Sequence, residues 1–196
     1  DKNAWAAYQK YPELVLPFIS GFDIHDEACL IYIQNQLEKG GFGLGELVGA
    51  STASPVASKA AWKAEHPMDG FFPQVYDLAA EYHVPVLLHI DPPEGNHIKK
   101  LKEALEKHPN TIFIYAHANA YNTIDNIDRL MSTHKNLYID FFAGFTASNP
   151  DSRLTLKDYA ALIKKYPDRF FLSSDSGYDL DVGLPQPFVE EHAGRV

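Results

Sequence analysis

Short apolar runs alternate along this chain with longer stretches in which apolar residues recur every third or fourth position. The runs are Leu14–Ser20 (LVLPFIS), Phe42–Val48 (FGLGELV), Pro85–Ile90 (PVLLHI), Thr111–Ala116 (TIFIYA), Leu137–Phe141 (LYIDF) and Arg169–Ser173 (RFFLS). They carry apolar residues on both faces, as parallel strands covered on both sides do. Pro17 cannot donate to a ladder, which makes the first run the weakest of them. Between the runs the spacing predicts helices. The first lies near Asp26–Lys39, with Leu30, Ile33 and Leu37 on one stripe and Gly40 and Gly41 at its end. The next is Phe71–Tyr82, with Phe72, Val75, Ala79 and Tyr82. Others follow through Ile98, Leu101 and Leu105, through Ile124, Ile127, Leu130 and Met131, and through Leu156, Tyr159, Leu162 and Ile163. Thr155 with Asp158 predicts a capping-box variant at the start of the last one. Ala50–Met68 is long for a plain connection and reads as a mobile cover, with a short helix near Ser58–Ala64. The tail from Gly177 to Val196 shows no full amphipathic helix.

Strand and helix thus alternate six times with no hairpin. That order implies parallel strands joined by right-handed crossovers, an α/β fold. No composition shift marks a boundary, so residues 1–196 are expected to form a single domain. A length of 196 residues supplies a real core.

Composition narrows the function. The net charge is −9, and the densest basic group is Lys99, Lys100 and Lys102 on one helix. A long nucleic-acid footprint needs more phosphate contacts than that. No run approaches the ~18 apolar residues of a membrane span. No basic segment precedes an apolar stretch, so no signal peptide is visible and a cytoplasmic protein is expected. The chain starts at Asp1, which leaves room for a processed N-terminus. The lone Cys29 excludes an intrachain disulfide and a thiolate-rich metal site, and reads as a plain buried thiol.

The candidate chemistry stands at strand ends. His89 ends the third run, His117 follows the fourth, Asp175 follows the sixth and Glu46 sits inside the second. All strand C-termini of a parallel sheet or barrel point to one face, so these groups can converge. Imidazole and carboxylate are ligands for Zn²⁺ and related divalent ions, which acidify bound water, and a nearby carboxylate then serves as general base. Taken singly, each has a plainer reading. Ser174 and Asp175 form a turn or cap, Glu46 pairs with a base, and Asp140 caps the segment after its strand. The remaining histidines, 25, 66, 83, 97, 108, 134 and 192, fall in helix or loop settings and read as surface residues. Two strand-end histidines together with a strand-end Asp shift the balance towards metal.

The segments VPVLLHI, TIFIYAHANA, NLYIDF and YPDRFFLSSDSGYD resemble strands five to eight of the amidohydrolase superfamily of metal-dependent hydrolases. The nearest branch is the amidohydrolase-2 group, which includes aminocarboxymuconate-semialdehyde decarboxylase-like enzymes. FGLGELVG resembles the strand-four segment of TatD-type and phosphotriesterase-type relatives. The likeness runs from about Leu14 to Asp179. It implies a (β/α)₈ TIM barrel. It implies that His89 and His117 are the strand-five and strand-six ligands, and that Glu46 bridges two ions where there are two. Asp175 would both contact metal and take the proton of the attacking water. One or two divalent ions, zinc first, would be the cofactor. The reaction implied is hydrolysis of a C–N or C–O bond in a small molecule, with non-oxidative decarboxylation as the alternative. Specificity in this superfamily lies in the βα loops, here Ala50–Met68, Asp91–His97, Ala118–Asn122 and Ala143–Leu154. Asp91 and Asn119 are the expected substrate contacts. A small-molecule substrate and a homo-oligomer are the expected partners. One departure stands out. The family's first strand ends in a His-x-His pair, which occurs nowhere in this sequence. Leu14–Ser20 aligns best with the family's third strand, so the expected barrel is incomplete, with about six βα units. A barrel remnant that binds without catalysing is the third reading.

Overall fold

The computed structural model describes residues 2–120, 122–147 and 154–175. The tail from Gly177 to Val196, Tyr121 and residues 148–153 of the Ala143–Leu154 loop lie outside them. Six strands follow one another in sequence order through one sheet: β1 Phe18–Ile19, β2 Gly43–Ala50, β3 Val86–Ile90, β4 Phe113–Tyr115, β5 Leu137–Phe142 and β6 Phe170–Ser173. β1 runs parallel to β2, β2 to β3 and β5 to β6. This is the (β/α)₈ TIM-barrel pattern, with six strands and five complete βα units among the described residues. Packing divides the chain into two compact units, Asp1–Ile114 and Tyr115–Val196.

In the first unit, α1 (Lys2–Lys10) has no predicted counterpart; it buries no residue completely. β1 is shorter than the apolar run that announced it. Leu14 is 77% exposed and Leu16 60%, because the run lies before Pro17 and outside the ladder. α2 (Ala28–Glu38) buries Cys29, Ile33 and Leu37, a stripe one position earlier than Leu30 would give. Burial pushes the Cys29 thiol up to about 11, fitting an inert buried thiol. Gly40, with φ +95°, ends the helix as its amide bonds back to Leu37. A single 3₁₀ turn, Ala57–Lys59, stands near the helix expected at Ser58–Ala64. α3 (Phe72–Glu81) buries Phe72, Val75, Tyr76 and Ala79. Tyr76, not Tyr82, is the core residue. Its ring meets Phe72 and Phe113, and its hydroxyl donates to the Pro67 carbonyl. α4 (Gly95–Lys107) covers the sheet with Ile98, Leu101, Ala104 and Leu105.

In the second unit, α5 (Ile124–Thr133) starts at Thr123, whose hydroxyl accepts from the Asn126 amide, and buries Ile127, Leu130 and Met131. α6 (Gly144–Ala147) is a single turn after β5. α7 (Leu156–Lys165) begins with the predicted capping box. The Thr155 hydroxyl accepts from the Asp158 amide, and the Asp158 carboxylate accepts from the Thr155 amide. Its buried face is Tyr159 and Leu162, while Leu156 is exposed. β6 differs from expectation. Phe171 is 50% and Leu172 69% exposed, so the strand is not buried. It pairs with β5, and no strand lies beyond it among the described residues.

Candidate metal centre

At Gly45 the β2 backbone lies against Leu87 of β3. A Cβ on Gly45 would stand 2.6 Å from the Leu87 carbonyl oxygen, and φ there is +131°, open to glycine alone. The glycine thus admits the neighbouring backbone. Next to it, the Glu46 side chain is 35% exposed. Its charge therefore avoids the desolvation that a carboxylate inside an apolar strand would suffer. On β3, Leu88 and Ile90 anchor the strand in the core and His89 is 6% exposed.

Three ionisable groups form a line. Glu46 Oε1 lies 2.9 Å from His89 Nδ1, and His89 Nε2 lies 2.5 Å from Asp91 Oδ2. Asp91 is 3% exposed and saturated. Oδ2 also accepts from the Ser51 hydroxyl at 2.6 Å, and Oδ1 from the backbone amides of Thr52, Ala53 and Ser54. Burial alone would raise its pKa. The hydrogen bonds from Ser51, His89, Ala53 and Thr52 outweigh that and hold the carboxyl at about 2. Asp91 is therefore a buried anion at neutral pH. A neutral imidazole that gives its one proton to Asp91 turns a bare lone pair towards Glu46. Two acceptors 2.9 Å apart are held only by a positive charge between them, a proton or a cation. Two ligand atoms on one zinc-sized ion, each ~2.1 Å from it, also stand about 3 Å apart or somewhat more. The residues present fit a divalent cation.

In the second unit His117 directly follows β4. It has φ +33° and is 7% exposed. Its backbone amide donates to Asp140 Oδ2 at 2.9 Å, and its ring meets Phe145 edge-on. Asp140 thus reaches across to the loop after β4, where the sequence suggested a cap for the segment after its own strand. Asn119 is 6% exposed. Its amide nitrogen donates to the Phe142 carbonyl at 2.7 Å and the Thr146 hydroxyl at 3.0 Å, and its oxygen accepts from the Phe142 amide. Asn119 and Asp91 were expected at the substrate, and both are buried among partners of their own chain. Asp175 stands exposed two residues past β6, with φ +47°.

The connection from β2 to α3 is tied at both ends. Asp91 holds Ser51 to Ser54, and Asp69 accepts from the amides of Glu65 and Gly70 and from His25 Nε2. Between them the Ala64 amide bonds the Val48 carbonyl. These ties were not read from the sequence. The one available signal was the density of Ser, Thr and Asp at the two ends of the segment.

Comparison with known proteins gives the family and the fold. The model of the family described as Amidohydrolase covers residues 1–189. The chain belongs to the amidohydrolase family. It is 34% identical over 109 residues to an uncharacterised metal-dependent hydrolase of Methanocaldococcus jannaschii. That match covers 53% of this chain and 38% of the relative, so the chain spans well under half of that relative's length. In fold it is similar to an uncharacterised TIM-barrel protein of Bordetella bronchiseptica (TM-score 0.60, 15% identity, 98% of this chain, 68% of the other). It is also similar to a dihydroorotase of Campylobacter jejuni (TM-score 0.54, 14% identity, 82% of this chain, 50% of the other). Among the described residues no helix is long and apolar enough to cross a membrane.

Proposed function

We propose that this chain carries the centre of a metal-dependent hydrolase acting on a C–N or C–O bond of a small molecule. Glu46 and His89 hold a divalent cation, zinc first, and the family resemblance adds His117 as a further ligand. The observation that carries the reading is the line Glu46–His89–Asp91, in which a buried anion fixes one imidazole nitrogen and the other faces a carboxylate. His117 is added because it follows β4 as His89 sits near the end of β3, and the two strands are successive in the sheet. When bound, such an ion supplies Lewis-acid polarisation of a carbonyl and lowers the pKa of water. Asp175 is the general base that takes the proton of the attacking water, as the family resemblance implies. Asp91 and Asn119 act through the residues they hold. The net charge of −9 and the absence of a dense basic cluster in the sequence support a small substrate over a nucleic acid.

Metal content and hydrolysis of a panel of amides, cyclic amides, esters and lactones, measured on one preparation, test this. Asp175→Asn keeps the shape and loses the base, because an amide oxygen is a very weak one. Turnover should fall by about 10²–10⁴-fold while metal remains bound. Near-normal turnover removes Asp175 from the mechanism. Release of carbon dioxide from a carboxylated substrate without hydrolysis assigns the chain to decarboxylation. A wild-type chain with neither metal nor activity is a binding remnant.

A further inference from the structure

Asp91 joins two structures through its side chain. One is the ring of His89. The other is the turn Ser51–Ser54 that opens the β2–α3 connection. We infer that Asp91 is a positioning residue. It fixes His89 as the Nε2–H tautomer, so that Nδ1 is the nitrogen offered to a metal beside Glu46, and it locks that ring to the start of the connection above the strand. The inference rests on the metal-centre reading given above.

The two carboxylate oxygens have separate duties. Oδ1 receives three backbone amides, from Thr52, Ala53 and Ser54. These donors accept no substitute for an oxygen. Oδ2 receives the Ser51 hydroxyl and His89 Nε2. A hydroxyl can turn and become an acceptor, and an imidazole can move its proton to the other nitrogen. The two duties are therefore separable by one substitution. In Asp91→Asn the amide oxygen must stay with the three backbone amides, and the NH₂ group falls where Oδ2 was. It donates to His89 Nε2, which drives the ring proton to Nδ1. A protonated Nδ1 has no lone pair for a metal. The turn is kept and the ligand is turned off. Asp91→Ala loses both.

The test loads wild type, Asp91→Asn and Asp91→Ala with cobalt(II). Affinity is read by titration, and the proton NMR spectrum of each loaded protein is searched for the shifted, exchangeable N–H of a metal-bound imidazole. Amide hydrogen exchange at Ala53 and Ser54 is followed on the metal-free proteins, because the Thr52 amide also reaches the Asp91 backbone carbonyl. Wild type should bind cobalt, show a slowly exchanging imidazole N–H and protect the turn. Asp91→Asn should keep the protection and bind cobalt about 10–100-fold more weakly, the range typical when a partner behind a ligand is removed. Asp91→Ala should lose the protection as well. Equal affinity and an unchanged N–H signal in Asp91→Asn overturn the positioning role. Loss of protection in Asp91→Asn as well as in Asp91→Ala overturns the division of duties between the two oxygens. Failure of wild type itself to bind cobalt refutes the metal centre and takes the inference with it, which separates the two failures.

Discussion

His25 stands between two carboxylates, with Nδ1 3.2 Å from Asp23 and Nε2 3.2 Å from Asp69. Asp69 is the larger cause of its raised pKa, and Asp23 adds to it against a modest burial penalty. Asp23 is lowered, first by the backbone amide of His25. Asp69 is also lowered, its partial burial outweighed by the amides of Glu65 and Gly70 and by His25. The signs set the window. The His25 contribution is complete below its ordinary 6.5 and is lost as pH rises through the higher folded value. The aspartate contributions are complete above their ordinary 3.8 and are lost as pH falls. The clasp is therefore strongest between about pH 4 and 6.5. His25 is 46% exposed on its side chain, so water screens the gain. His25→Gln should cost less than about 1 kcal/mol near pH 5.5 and close to nothing near pH 9. Chemical denaturation at both pH values checks this, and a cost that grows towards pH 9 contradicts it.

At the scale of elements, the helix starts were the most readable features. Thr155 and Asp158 satisfy each other's amides at the head of α7, as their spacing predicted. Thr155→Ala should destabilise the chain by about 1 kcal/mol, and Thr155→Ser by much less, seen as a shift of the denaturation midpoint with unchanged slope. Helix stripes were legible because each needs only its own periodicity. Strand burial was less so. RFFLS and LVLPFIS both read as core, yet Phe171, Leu172, Leu14 and Leu16 are exposed. An apolar run announces a strand, but whether it is covered depends on which elements pack over it, and these two runs lie at or beyond the ends of the strand order. β3 reads the same way in sequence and is buried, and it stands inside the strand order between β2 and β4.

At the scale of the whole molecule, a ligand that binds only the folded chain stabilises all of it. Under the proposed function, zinc at about 100 times its dissociation constant should raise the free energy of unfolding by ~2.7 kcal/mol, and a chelator should return it to the metal-free value. A thermal midpoint indifferent to both would contradict a folded metal site. The sequence by itself determined the α/β order and the parallel sheet, because periodicity and turn residues are local properties. It also offered Glu46, His89, His117 and Asp175 as candidate ligands, because they are polar groups set in or just after apolar runs. Tertiary structure decided what those groups touch. Asp91 and Asn119 looked like loop residues facing a substrate and are buried anchors, one behind His89 and one between β5 and α6. Asp140 looked like a cap and holds the His117 backbone from the next strand. Hydrogen bonds between residues 23 to 40 positions apart leave no periodic trace, because the partners meet only when the parallel strands come into register.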